Sequence, residues 1–459
     1  MYRIKLNNVN DKYDYNELVK IFLQPDQYEL YGEDEILVAE NNDIFIEINH
    51  QNSDDKNHIK REIFNALRDI TGKRPPWGIL TGVRPVKLTR EISEKLMDDE
   101  NVSKKLKEEY LLSEEKSSLI MDIYHYQQNT VSKPEPDTVG IYIGIPFCPT
   151  RCLYCSFTSN QKDSDEIDNY LKSLYKEIEY CGRAMREHSI FAESIYIGGG
   201  TPTTLTHNQL DELLIKIKNS FDLTRLKEFT VEAGRPDTIT SEKLKVIANH
   251  GIKRISINPQ TMKDKTLELI GRSHNVEDIK KAFKIAFEQG DFIINADLIA
   301  GLPNESSEDF RETLKEVIAL APSNITVHTL AVKKASKLIE ADENYHYKQS
   351  NTVETMLDIS KDMLSAYGYI PYYLYRQKHM AGALENVGYC KDHTPCIYNI
   401  RIMDESQSIL AIGAGGISKK YYPAQNRLER VPNVSNYQIY MERLDEMIER
   451  KRKNFFEEV

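Results

Sequence analysis

The sequence predicts an α/β fold: a partial (β/α)6 barrel over residues 136–331, preceded by an α+β domain over 1–135 and followed by a small C-terminal extension over 332–459. Three observations predict it. Six short runs rich in β-branched residues occur at 139–145, 194–197, 228–232, 254–258, 292–299 and 325–330. Amphipathic stretches of helical length separate them, at 165–188, 207–219, 241–250, 276–289 and 307–320. Such alternation gives a parallel sheet with right-handed crossovers, and six units suit an open barrel where eight would close one. Glycine-rich and polar motifs also follow the strand ends, which is where barrels of this kind carry their chemistry.

The N-terminal region reads as strands at 2–6, 36–40 and 44–48 around a helix near 15–23, then helices at 56–71, 87–97, 103–111 and 114–128. Between the first two of these later helices lies GKRPPWGILTGVRPVK, with the single tryptophan, Trp77, and the cations Lys73, Arg74, Arg84 and Lys87. Its prolines and glycines make it an ordered loop. Two roles are open to it: an anion-binding flap facing the barrel, or a docking loop in which Trp77 packs. SKPEPD, 132–137, reads as a linker. Beyond the sixth strand come a helix at 355–368, an aromatic strand in YGYIPYYLYR, the segments 397–403 and 409–417, and a charged helix at 436–456.

The 459 residues are 40% hydrophobic and 29% charged, with formal charge −11. That balance argues against a duplex nucleic-acid binder, which would carry a basic face. Apolar runs fall far short of the roughly 20 residues of a membrane helix, and no signal peptide is visible. Six cysteines in so long a chain do not make a disulfide framework, so a reducing cytoplasm is expected.

The chemistry centres on 139–159. Ile141, Ile143 and Ile145 share one strand face and Tyr142 the other, Pro146 ends the strand, and a loop then delivers Cys148, Cys152 and Cys155 at spacing C-x3-C-x2-C. Three thiolates on one loop suit a metal cluster with an open position. Zinc would want a fourth protein ligand, which the neighbourhood does not supply. GGGTPT follows the second strand, with Gly199, Gly200 and Thr201; glycines let backbone amides approach a ligand closely. Glu232 ends the third strand, Gln260 the fourth, with Arg272 beyond it, and Asp297 lies near the end of the fifth.

CPTRCLYC resembles the cluster loop of radical S-adenosylmethionine (SAM) enzymes, in which three cysteines hold a [4Fe-4S] cluster and SAM chelates the fourth iron. Together with VEAGRPD, YRQKHMAG and ENVGY, the motifs resemble the oxygen-independent coproporphyrinogen III oxidase family in its HemZ-type branch, well over 139–331 and more weakly to 420. The resemblance implies one SAM seated by Tyr142, Gly199, Glu232 and Ile417, and a second contacting Tyr154, Gly200, Thr201, Gln260, Arg272, Asp297 and Ala331. It implies that Cys148, Cys152, Cys155 and Tyr142 serve catalysis, the cysteines as cluster ligands. The implied reaction is reductive cleavage of SAM to a 5′-deoxyadenosyl radical, hydrogen removal from a propionate of the tetrapyrrole and loss of carbon dioxide to leave a vinyl group. A low-potential donor such as flavodoxin or ferredoxin would supply electrons under anaerobic conditions.

Two departures distinguish this chain from the best-studied branch: where that branch has a further cysteine in C-x-C after the loop, this chain has Cys155-Ser156-Phe157, and Gly144 replaces a histidine. A haem-carrying chaperone of the same fold, or a radical SAM methyltransferase or ring-opening enzyme acting on haem, are the competing readings. Arg235, Lys333, Lys334, Arg376 and Lys378 are candidate propionate partners, and Tyr369, Tyr372, Tyr373 and Tyr375 either line a macrocycle or pack a strand. Cys390 and Cys396, with His393 between, are either a second metal site or free thiols, and Cys181 reads as core.

Overall fold

The computed structural model describes residues 1–8, 12–35, 43–49, 55–82, 84–155, 160–331, 349–377 and 381–457. The N-terminal sheet has three strands, β1 (Tyr2–Asn7), β2 (Tyr28–Tyr31) and β3 (Ile44–Asn49), in the order β2-β1-β3 with both pairs parallel. The strand expected over 36–40 lies outside the described residues. β2 was not foreseen, because YELY is too short to show a period. This sheet, the helix Tyr13–Phe22 and the helix Lys56–Thr71 enclose their own apolar core around Ile4, Leu18, Phe22 and Ile63.

The six predicted barrel strands are all present: β4 (Thr138–Ile145), β5 (Phe191–Gly199), β6 (Glu228–Glu232), β7 (Arg254–Ser256), β8 (Ile293–Ala300) and β9 (Asn324–Thr329). They pair in sequence order and parallel throughout, as Ile141↔Ile195 and Ile197↔Val231 illustrate. Three of the helices between them begin where the sequence supplies reciprocal caps: Thr206 with Gln209, Asn275 with Asp278, and Ser306 with Asp309.

Both edges of the barrel sheet are extended. β10 (Ile370–Tyr375) and β11 (Asn386–Cys390) add antiparallel strands beyond β9. β12 (Ile409–Ile412) pairs parallel with β4, and β13 (Ile417–Tyr422) and β14 (Arg427–Pro432) follow antiparallel, giving eleven strands in all. The segment 397–403 is helical, as Ile397–Asp404. It sets Tyr398 against Tyr196 in a stack that continues to Tyr142, so these rings share one column. The charged tail is two short helices, Tyr437–Glu442 and Leu444–Lys451, and a closing π turn.

The helices Pro85–Leu96, Asp99–Glu108 and Glu114–Thr130 share the barrel's apolar core rather than that of the N-terminal sheet. Trp77 joins them: it is buried, its indole N–H donates to Glu385 at 2.6 Å, and the Arg376 guanidinium lies over its ring at 4.8 Å. Of the two roles open to that loop, docking describes Trp77. Among the described residues no helix is long and apolar enough to cross a membrane.

Candidate active site

β4 brings the cysteine loop to the C-terminal end of the barrel. The loop is tied at its exit, where the Cys148 amide donates to Asn160 O and the Asn160 amide to Pro146 O, each at 3.0 Å. It is tied to the next strand where the Gly200 amide donates to Ile145 O at 2.8 Å and the Thr201 amide to Phe147 O at 2.7 Å. The Thr201 hydroxyl lies 3.6 Å from Cys148 Sγ. Here glycine is a steric requirement: a Cβ on Gly200 would stand 2.4 Å from Phe147 O and 2.9 Å from Cys148 Sγ. Gly199 has φ +115° and equally close backbone, with Ile145 O 2.9 Å from where its Cβ would be.

The far side of the loop is held from the segment after β7. The Leu153 amide donates to Ile270 O at 2.9 Å, the Thr150 hydroxyl to Gly271 O at 2.9 Å, and Arg272 to the Tyr154 hydroxyl at 3.0 Å and to Asn258 O at 2.7 Å. Arg235 is not a free cation awaiting a carboxylate. It is buried, paired with Asp237 at 3.0 Å, bonded to Thr150 and Ser273, and its guanidinium reaches Cys152 Sγ at 3.7 Å. Its partners Asp237 and Ser273, and His274 bonded to Asp237 behind them, were not singled out in the sequence.

Across the barrel mouth stand two carboxylates. Burial and the nearby charge of Asp297 push the Glu232 carboxyl up to about 8, which a hydrogen bond from the Gly199 amide only partly offsets. Burial would raise Asp297 as well, but His328, Asn295 and Thr326 outweigh it and hold the group below its ordinary range. Asn295 donates to Asp297 at 2.7 Å, and His328 lies 3.6 Å from Asp297 and 3.1 Å from the Tyr375 hydroxyl. Gln260 is fixed beneath by its backbone, its amide donating to Asp297 O at 2.9 Å and its carbonyl accepting from Ile299 at 3.0 Å, with φ +68°. Tyr142 is raised above the ordinary phenol range by burial and by Glu232. His328 carried no local signal that could have marked it.

The structure therefore brings together Cys148, Cys152, Cys155, Tyr154, Gly199, Gly200, Thr201 and Arg272 on one side, and Tyr142, Glu232, Gln260 and Asp297 on the other. The described contacts join neither Ala331, half-buried just past β9, nor Ile417, 47% exposed at the start of β13, to these residues. Lys333, Lys334, Lys378 and Ser156 lie outside the described residues. Arg376 is turned inward, donating to Leu80 O and Ala383 O, and Tyr372 and Tyr373 are buried. Cys390 and Cys396 sit at the opposite end of the barrel, near the starts of β9 and β6. There Cys390 donates to Tyr126 at 3.3 Å and Cys396 to Glu228 at 3.2 Å.

These residues fit a [4Fe-4S] cluster and a cationic sulfonium amino acid on three structural grounds. None of the three loop cysteines is tied up in a disulfide. Buried polar atoms also face the mouth without protein partners: Asn258 Oδ1, Gln260 Oε1 and Arg272 Nε. Beside them Glu232, raised by burial and by Asp297, lacks a cationic partner and would gain one from a bound ammonium.

The Radical SAM superfamily model matches residues 142–317. The chain is 40% identical over 405 residues to the oxygen-independent coproporphyrinogen-III oxidase-like protein HemZ of Bacillus subtilis, covering 87% of this chain and 80% of that one. It is 29% identical over 300 residues to the heme chaperone HemW of Haemophilus influenzae, covering 63% and 72%. The solved coproporphyrinogen III oxidase HemN of Escherichia coli, a radical SAM enzyme, superposes with TM-score 0.54 at 22% identity, over 70% of this chain and 72% of that one.

Proposed function

This chain belongs to the HemZ-type oxygen-independent coproporphyrinogen-III oxidase-like family of the radical SAM superfamily, and on that premise we propose that it decarboxylates the propionates of coproporphyrinogen III. Its cofactors are those of the superfamily, a [4Fe-4S] cluster and SAM. In the net reaction each propionate gives up a hydrogen atom, carbon dioxide and one electron to leave a vinyl group, and two rounds give protoporphyrinogen IX. Bound together, the cluster and SAM supply one-electron reductive cleavage that yields a hydrogen-abstracting carbon radical.

The protein's part is to hold and orient. Cys148, Cys152 and Cys155 would carry the cluster, and Arg235, 3.7 Å from Cys152 Sγ, would balance its negative charge. The side-chain-free surface at Gly199 and Gly200 and the carboxylate of Glu232 would seat the amino-acid end of SAM, Glu232 giving up its proton to pair with the ammonium. Asp297, kept ionised by Asn295 and His328, and Gln260 with Arg272 would take further polar groups of a SAM. Tyr142 and Tyr196 would close the floor and keep water from the reacting carbon. Residues 1–135 would brace the 332–459 extension through the Trp77–Glu385 and Lys116–Glu385 contacts, and 332–459 would complete the walls of the barrel of 136–331. A low-potential flavodoxin- or ferredoxin-type donor and an anaerobic cytoplasm complete the reading.

The observation that carries it is the match to the Bacillus subtilis relative, which runs well past the barrel motif on both sides. The test is anaerobic reconstitution with SAM, a low-potential reductant and coproporphyrinogen III. Stepwise loss of carboxyl mass together with 5′-deoxyadenosine is expected. A second reading, haem carriage, is favoured by 37% identity over 196 residues to a Bacillus subtilis heme chaperone. Stoichiometric haem binding with no decarboxylated product would select it.

A further inference from the structure

On a chain of net charge −11, one cavity of about 590 Å3 is lined by five cations, Lys60, Arg84, Lys87, Arg376 and Arg430, against two carboxylates, Glu91 and Glu405. Glu405 is already shared three ways. It pairs with Arg84, lies 3.4 Å from Lys87 and 3.8 Å from Lys419, which reaches in from β13. The adjacent Asp404 is taken by Arg90 at 3.3 Å. Arg430, exposed on β14, stands directly opposite Lys419 in the sheet register, a like-charge pair that costs stability.

The cations gather where a helix would normally attract the reverse sign. Pro85–Leu96 begins at Arg84 with no side-chain cap and no acidic residue in its first turn. Its first amides and the positive end of its dipole face this region together with Arg84 and Lys87. A second feature is independent of the helix. Arg376 is 7% exposed and lines the same cavity; its terminal nitrogens donate to Leu80 O and Ala383 O, and its Nε alone has no hydrogen-bond partner. Burial, then Arg84, Arg430 and Lys87, push the Lys419 ammonium down to about 7, and burial with Arg430 pushes Arg84 down to about 10. Gathering cations at low exposure is costly unless something supplies negative charge.

We propose that this cavity is a binding site for the oxyanion groups of a small polyanion, phosphate or carboxylate, held by Arg84, Lys87 and Arg430 over the free amides of the helix N-terminus. The site lies beside β13 and β14, apart from the cysteine loop, and does not depend on the function proposed above. Equilibrium dialysis of the cluster-loaded full chain against radiolabelled inorganic phosphate, and separately tricarballylate, at matched ionic strength tests it. Saturable binding of either is expected: preference for phosphate identifies a phosphate ester, and preference for tricarballylate a polycarboxylate. Lys87→Gln and Arg430→Gln should each raise the Kd at least fivefold with unchanged cluster absorbance. Arg430 is exposed and has no carboxylate partner among the described residues, so its replacement leaves the fold intact. No saturable binding of either anion, or equal affinity in the parent and Arg430→Gln, overturns the proposal.

Discussion

The Arg272 guanidinium donates to the Tyr154 hydroxyl at 3.0 Å, so a residue that follows β7 by a short helix holds the tip of a loop that leaves β4. The bond spans 118 positions and couples the cysteine loop to the far side of the barrel mouth. Because Arg272 is buried, the bond is charge-assisted and shielded from water, and such bonds contribute about 1.5–3 kcal/mol. A double-mutant cycle of Arg272→Met and Tyr154→Phe, read by urea unfolding, should give a coupling in that range. A coupling near zero would mean that the loop is held by its backbone bonds alone.

Cys152→Ala leaves two thiolates on the loop, and we expect reconstituted protein to lose its cluster absorbance and most of its iron and sulfide. Unchanged iron and sulfide content would contradict the ligand assignment. Cys390→Ala, at the opposite end of the barrel, should leave both intact.

Gly200→Ala tests the close approach between the second strand end and the loop. The added methyl would meet Phe147 O at 2.4 Å, with the Phe147 carbonyl carbon and Cys148 Sγ each at 2.9 Å. Displacement of the loop should lower cluster occupancy several-fold while the far-ultraviolet circular dichroism stays native. Full occupancy would show that the loop has slack.

Glu232 provides a pH signature. Its carboxyl, raised to about 8, is mostly protonated at pH 6.5, and a cationic ligand binds the ionised form. Binding therefore expels a proton, and affinity gained from Glu232 grows with pH up to about 8, where the free carboxyl is half ionised, and levels off above it. SAM has an amino group that titrates in the same range, so the informative quantity is the Kd ratio of Glu232→Gln to parent. That ratio should climb roughly tenfold between pH 6.5 and 8. A flat ratio in isothermal titration would remove Glu232 from the ammonium site.

What the sequence could show followed from local repetition. The six barrel strands are runs of β-branched residues, and their motifs sit immediately after them, so both the sheet and most of the mouth were legible. β2 and the helix Ile397–Asp404 were not, because four residues cannot display a period and IYNIRIMD suits either state. Arg235 looked like a substrate partner because its ties to Thr150, Ser273 and Cys152 run to residues 38 to 85 positions away. Glu193 is fully buried with Arg401 at 2.9 Å, a partner 208 positions distant that no window of sequence connects to it.

The tail gives the sharpest case, since Lys451 on a charged terminal helix is fully buried against Glu177 at 2.7 Å. Glu177 also accepts from the Gly413 amide at 2.7 Å, Tyr440 at 2.5 Å and Asn433 at 2.9 Å, so this carboxylate anchors the glycine turn between β12 and β13. Burial raises its carboxyl, but Lys451 and these donors outweigh burial and keep it below its ordinary range. Lys451→Met leaves that charge buried and unpaired, which should destabilise the protein by about 3–5 kcal/mol in urea. Adding Glu177→Gln removes the charge while retaining a carbonyl acceptor for Gly413, and should recover roughly half of the loss. If Lys451→Met is silent, the pair is not a lock on the tail. If the double variant is worse than the single, hydrogen bonding to Glu177 rather than its charge balance is what fastens the glycine turn to the barrel.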